Sequence, residues 1–160
     1  MLKTLLIILT VVMSASAGYE FSLTENAGIP ASAEKPRGAE IEDKKPLLSI
    51  DGKPVSVTWE TNEAVSELAE LASGEAITVY TENYGGFEQV GKLPSALTEN
   101  DITMTAKAGD IVLYAGNSLV LFYGSNTWEY TKLGHVENCS PDELKTLLGG
   151  EQTSVTISLS

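Results

Sequence analysis

Two consecutive apolar segments near the middle of the chain restrict its fold more than any other feature. The stretch AGDIVLYAGNSLVLFYG contains residues 111–114 and 119–123, which are apolar or aromatic at every position. A strand with one solvated face alternates apolar and polar residues, so these continuous runs predict strands that are covered on both faces.

Shorter patterns on either side predict additional strands. A hairpin turning at Asp51-Gly52 is indicated by two β-type runs, and Pro54 suggests that the second run starts at a turn or an edge. Alternating apolar residues predict three more strands, in the segments EAITVYTEN, EYTKLGHV and TSVTISLS.

Two short helices are predicted between these strands. In TNEAVSELAELASG the apolar residues follow helical spacing, with Asn62 as the N-cap and Gly74 as the stop. In SPDELKTLLGG, Ser140 and Glu143 have the spacing of a capping box around Pro141. About seven strands and two helices favour a mainly β fold, either a barrel or a sandwich.

The first 46 residues differ from the rest of the chain and predict a division into three parts. Residues 1–17 have a Lys3 start, a short apolar run and the small residues Ala15 and Ala17, the pattern of a secretory signal peptide. An uncleaved membrane anchor is the alternative. Residues 18–46 are rich in Pro, Ala, Glu and Lys and predict a flexible tether, and residues 47–160 predict the folded domain. We therefore expect an exported protein, periplasmic or secreted, without stable membrane insertion after signal cleavage.

The charge and the single cysteine limit the partners. With 22 acidic and 10 basic residues the formal net charge is −12, which repels phosphate backbones and argues against nucleic acid. Cys139 has no partner for an internal disulfide, and the alternatives are a buried small apolar residue or a reactive thiol. The sequence leaves the oligomeric state open.

No residue pattern predicts catalysis, a metal site or a cofactor. His135 is the only histidine, which argues against a histidine metal cluster and a Ser-His-Asp relay. Glu99 and Asp101 fall in a polar segment where solvation is expected, and no phosphate-binding glycine motif is present.

From residue 47 to residue 160 the chain resembles the bacterial cyclophilin-like proteins. The segments that carry the resemblance, in chain order, are SIDGKPV, TNEAVSELAEL, NYGGFEQVGKLP, AGDIVLYAGNSLVLFYGSNTWEYTKLGHV and VTISLS. The resemblance implies a mainly β fold, a closed cyclophilin-like β-barrel with two short flanking helices. Barrel closure agrees with the buried strands, because it leaves few open edges.

True cyclophilins are peptidyl-prolyl isomerases and resemble one another in aiming an arginine at the twisting prolyl amide. Such a fixed guanidinium stabilises the charge that develops during rotation. Here Arg37 is the only arginine, and it lies in the predicted tether; Lys92, Lys107 and Lys132 match no catalytic motif. We therefore predict a non-catalytic module that binds a peptide or a small ligand. The alternatives are an extracytoplasmic peptidyl-prolyl isomerase or folding factor with a non-standard site, and an accessory domain of a redox or flavin protein.

The glycine pair in ENYGGFEQVGKLP is the candidate ligand loop. Gly85 and Gly86 remove two side chains between Tyr84 and Phe87, which permits either a sharp turn or a close approach of a flat ligand to the backbone. Trp128 is expected near a strand end, where its ring can line a shallow groove. The predicted ligand-binding residues are Tyr84, Gly85, Gly86, Phe87 and Trp128.

Overall fold

The computed structural model describes residues 44–160, which form a nearly closed antiparallel β-barrel with two helices. The predicted signal peptide and all but the last three residues of the predicted tether lie outside these residues. The described elements are β1 (Leu47–Ile50), β2 (Lys53–Val55), β3 (Val57–Trp59), α1 (Glu63–Leu71), β4 (Ile77–Tyr84), β5 (Glu88–Lys92), β6 (Ile102–Ala106), β7 (Asp110–Tyr114), β8 (Ser118–Phe122), β9 (Asn126–Val136), α2 (Pro141–Leu148) and β10 (Gln152–Ser158).

The ends of the sheet come together where β2 and β3 meet. The strand order is β2-β1-β10-β4-β5-β8-β7-β9-β3, and only Ser56 separates its first strand from its last. β2 pairs with β1, and β3 pairs with β9. The Glu137 amide donates to the Ser56 carbonyl oxygen at 2.8 Å, so the bend between β2 and β3 is tied to the end of β9. One interrupted strand therefore completes the barrel, and closure leaves few unpaired strand edges.

A large apolar core fills the barrel and includes residues from both helices. Leu119 and Leu121 of β8 and Ile111 of β7 are fully or almost fully buried in it. Leu68 of α1 and Leu148 of α2 reach the same core and are also fully buried. Both helices are thus held by apolar residues on their inward faces, which the sequence spacing predicted for α1.

A second, smaller cluster covers the opposite face of the same strands. Val120 and Phe122 alternate with the core residues of β8 and pack with Val112 of β7. β6 pairs with the first half of β9, and the ribbon contributes Ala106 and Tyr130 to this cluster. β7 and β8 are therefore covered on both faces, as their continuous apolar sequences predicted.

The structure confirms most of the predicted elements and corrects several boundaries. The hairpin at Asp51-Gly52 is present, with positive φ values of 47° and 73°. Asn62 caps α1, and the capping box starts α2. However, α1 ends at Leu71 with Ala72 as its C-cap, so Gly74 does not stop it.

The number of strands was underestimated. Residues 44–160 contain ten strands rather than about seven. β6 was missed because its residues are mostly exposed, and their pairing with β9 is what makes them a strand. β9 begins at Asn126, so Trp128 is the third residue of this strand and lies near its start. Among the described residues, no helix has both the length and the apolar character needed to cross a membrane.

Candidate functional site

An open pocket of about 370 Å³ lies beside the second apolar cluster. Its floor is formed by Val90 and Val120, which are direct partners across β5 and β8. β4, β7 and β9 supply aromatic rings to it. We call it the aromatic pocket, and its lining residues are Tyr84, Glu88, Val90, Tyr114, Val120, Asn126, Trp128 and Tyr130.

The aromatic pocket contains a buried carboxyl group without a partner. Glu88 begins β5, has only 7% of its surface exposed and lies opposite Tyr84 and Phe122 on the two neighbouring strands. Its Oε2 atom is buried and has no hydrogen-bond partner among the described residues. Burial raises the pKa of the Glu88 carboxyl from 4.5 to about 7, because the charged form loses hydration. A buried polar atom left unpaired costs free energy, so this arrangement requires a reason.

The next residue shows how the same strand treats a polar side chain with a structural role. Gln89 points into the barrel and is fully buried. Its Nε2 donates to the carbonyl oxygens of Leu148 and Gly150, both at 2.7 Å, and its Oε1 accepts from the Thr81 hydroxyl at 2.9 Å. Gln89 therefore joins the end of α2 to the β4–β5 hairpin. Glu88 has no comparable set of partners, which separates it from the polar groups that hold the fold together.

The rings around Glu88 are partly fixed and partly open to solvent. Tyr130 is buried at 4% exposure, packs edge-on to Phe122 with centroids 5.6 Å apart, and accepts a hydrogen bond from Asn126 Nδ2 at 2.9 Å. Tyr114 packs edge-on to Tyr130 at 6.1 Å. By contrast, 66% of Tyr84 and 58% of Trp128 are exposed. Both therefore present ring surface at the mouth of the pocket that no described protein group covers.

Electrostatic coupling between the pocket residues is visible at Tyr130. Burial is the main cause that raises the pKa of its phenol. The Asn126 hydrogen bond lowers that pKa, and the negative charge of Glu88 raises it further. The Tyr130 hydroxyl and the Glu88 carboxyl therefore influence each other within one low-dielectric site.

The glycine pair forms the turn between β4 and β5. Gly85 and Gly86 have φ values of +64° and +76°, which favour glycine. The Asn83 side chain accepts a hydrogen bond from the Gly86 amide at 3.1 Å and fixes the turn. The turn interpretation of the glycine pair therefore has direct support in the backbone geometry.

The five predicted ligand-binding residues are divided by the fold. Tyr84 and Trp128 line the aromatic pocket, whereas Gly85, Gly86 and Phe87 do not. Phe87 instead stacks on Phe122, with ring centroids 6.5 Å apart and planes within 11°. A ligand-binding role for the five residues stays a prediction, and the pocket joins two of them to residues that the sequence did not single out.

A charged cluster on another part of the surface has ordinary structural partners. His135 Nδ1 lies 2.9 Å from Asp110 Oδ1, and Lys132 Nζ lies 3.7 Å from the same oxygen and 3.6 Å from Glu60. The other Asp110 oxygen accepts from the Lys107 amide at 2.9 Å, as expected of a turn residue. Within residues 44–160, no group of three or more His, Cys, Asp or Glu side chains could hold a metal ion.

Sequence reasoning missed Glu88, the most unusual group of the site. The available signal was a carboxylate inside a short strand, EQVGK, immediately after an aromatic residue. This signal was not decisive, because a strand at the surface can also carry a glutamate. Tyr114 and Tyr130 also line the pocket, because it lies beside the second cluster on the outer face of β7 and β8.

The comparisons with known proteins agree with this architecture. A family model described as the cyclophilin-like family matches residues 48–160, which is most of the chain and includes the whole barrel from Leu48 onward. No curated protein matches the chain in sequence. The match covers more than half of the chain and begins within the first strand, so the protein belongs to the cyclophilin-like family.

Proposed function

We propose that this protein is an exported, non-catalytic binding module that takes a peptide or a small flat ligand in the aromatic pocket. The observation that supports the binding role is the pocket itself, where exposed rings surround a buried carboxyl group that lacks a partner among the described residues. Concave, mostly apolar sites with a few polar groups are the usual form of ligand sites.

The rings are suited to a flat or extended ligand. Tyr84 and Trp128 are exposed while Tyr130 is buried at the pocket wall, so a ligand would contact both solvent-facing and tightly packed rings. Aromatic contacts of this kind contribute mainly through buried apolar area and ring geometry. Glu88 and Asn126 supply polar contacts that would orient the ligand.

Isomerase activity is the competing function. The only arginine of the chain, Arg37, lies outside the described residues and in the predicted tether. Among the described residues, no arginine or lysine side chain lines the aromatic pocket. The pocket lining therefore supplies no guanidinium to stabilise a twisted prolyl amide, and this favours binding over isomerisation.

The test is a ¹H–¹⁵N correlation NMR screen of the full-length chain against flat aromatic fragments and proline-containing peptides. Binding in the aromatic pocket should shift the Trp128 indole and the amides of β5 and β8. Trp128→Ala should weaken that binding, whereas Tyr80→Ala should not, because Tyr80 is 79% exposed and lies outside the pocket. Absence of any ligand at the pocket, or equal effects of both substitutions, would contradict the proposal.

A proline-limited refolding assay separates the two functions. We expect no acceleration of refolding by the purified protein. Acceleration that a pocket substitution abolishes would establish the isomerase instead. Export is tested independently by expressing the chain from its first methionine and determining the mature N-terminus, which the signal-peptide prediction places at Gly18.

A further inference from the structure

The unpartnered carboxyl group restricts the chemistry of the ligand. Glu88 lines the aromatic pocket, and its Oε2 atom is buried and left without a hydrogen-bond donor by the described residues. A carboxylate in such a site is stabilised most by a group that supplies both positive charge and N–H donors. An anionic ligand would be repelled, and a purely apolar ligand would leave the oxygen unpaired.

The surrounding rings favour the same kind of group. Ammonium and guanidinium ions are attracted to the faces of Trp and Tyr rings, and four such rings line the pocket. The titratable groups that line the pocket besides Glu88 are three phenols, Tyr84 on β4, Tyr114 on β7 and Tyr130 on β9. Within residues 44–160, no lysine, arginine or histidine lines it, so none of these cations takes the position that a ligand cation would occupy.

The overall charge of the protein adds a long-range contribution. A formal net charge of −12 attracts cations and raises their concentration near the surface. Solubility explains this charge equally well by itself. The net charge supports a cationic ligand only in combination with the buried, unpaired carboxyl group in the open pocket.

We propose, resting on the binding function above, that the ligand carries a cationic nitrogen group, an ammonium or a planar amidinium or guanidinium, which pairs with the Glu88 carboxylate between the aromatic rings. Arginine and lysine side chains of peptides and small aromatic amidines belong to this class. The exposed rings Tyr84 and Trp128 would cover the cation on the solvent side.

The experiment compares two flat probes of almost the same shape, cationic benzamidine and neutral benzamide, by NMR titration of the full-length wild-type chain. Benzamidine should bind in the pocket at least about tenfold more tightly than benzamide at pH 8, because only the cation pairs with the carboxylate. Glu88→Gln keeps the shape of the side chain and should lower benzamidine affinity by about tenfold, removing the preference. Glu82→Gln is the matched control, since Glu82 is exposed on the neighbouring strand and does not line the pocket.

The pH dependence provides a second readout. Benzamidine remains cationic at neutral pH, so its affinity should follow ionisation of Glu88 and rise about fivefold between pH 6 and pH 8, given about tenfold weaker binding to the neutral carboxyl. Glu88→Gln should abolish this rise, and Glu82→Gln should retain it.

The outcomes distinguish this inference from the binding function. Equal affinity for benzamide, or benzamidine binding that Glu88→Gln leaves unchanged, overturns the cationic class while a pocket ligand still supports a binding module. Absence of benzamidine binding at the pocket also overturns the cationic class. Only the broader screen, if it finds no ligand at the pocket, removes the binding function as well.

Discussion

The burial of Glu88 should make the stability of the folded domain depend on pH in a way that one substitution removes. Below pH 4.5 the carboxyl is protonated in both the folded and the unfolded chain, so its burial carries no charge penalty. As the pH rises from 4.5 towards 7, the unfolded chain loses the proton while the folded chain keeps it. The folded state therefore loses stability through this interval, and above about pH 8 the loss is complete and constant.

The size of the effect follows from the two pKa values. A difference between 4.5 and about 7 corresponds to about 3.5 kcal/mol at most, at about 1.4 kcal/mol for each pH unit. Glu88 retains 7% exposure beside an open pocket, and access of solvent would reduce the penalty, so we expect about 1–3 kcal/mol. Glu88→Gln stays neutral at every pH. The unfolding free energy of Glu88→Gln minus that of wild type should therefore increase by this amount between pH 4.5 and pH 8.

The measurement is urea denaturation of wild type and Glu88→Gln at several pH values across this interval. Other carboxyl groups titrate in both proteins, so the difference between the two curves isolates Glu88. Glu82→Gln, which replaces an exposed carboxylate on the neighbouring strand, should show no such pH-dependent difference. If wild type and Glu88→Gln remain parallel from pH 4.5 to pH 8, Glu88 is solvated in solution and the reasoning fails.

Substitutions at four further positions test the packing and the cap of α1. Phe122→Ala should cost about 3–5 kcal/mol of unfolding free energy, because the ring is fully buried. Trp128→Ala, at the exposed mouth of the pocket, should cost less than about 1 kcal/mol. Urea denaturation of both variants measures the two losses. Gly91→Ala should cost about 3 kcal/mol, because the new Cβ would lie 2.7 Å from the Tyr80 carbonyl oxygen, and unchanged stability would contradict the close approach of β4 and β5 at this position. Asn62→Ala should lower stability by about 1 kcal/mol in thermal denaturation, because the side chain accepts a hydrogen bond from the Val65 amide and donates one to the Lys132 carbonyl oxygen. Asn62→Asp keeps the first bond and loses the second, so it should recover only part of this loss.

Local patterns predicted the parts of the fold whose stability is decided within a few residues of sequence. The capping box at Ser140 and the positive-φ hairpin at Asp51-Gly52 depend on neighbouring groups, and both are present. The paired strands β7 and β8 were predictable because their apolar runs have no polar face to offer to solvent. β6 was not predictable, because its residues are mostly exposed and become a strand only through pairing with β9.

The candidate site shows the same limit. Tyr84 and Trp128 could be proposed from sequence as exposed rings, but they are 44 positions apart, and only the barrel brings them to one pocket. Phe87, adjacent to the glycine turn, was proposed with them and instead stacks on Phe122. Strand alternation could place Glu88 and Gln89 on opposite faces, but it could not show which of them would find partners.

The sequence by itself determined a mainly β domain with two capped helices, because strand and helix periods and caps are local properties of the chain. The tertiary structure alone decided that the β6–β9 ribbon covers the outer face of β7 and β8, and that a carboxyl group is buried beside it without a partner among the described residues. Burial and the supply of hydrogen-bond donors depend on residues far apart in the chain, so the chemistry of the pocket was fixed only when the barrel brought those residues together.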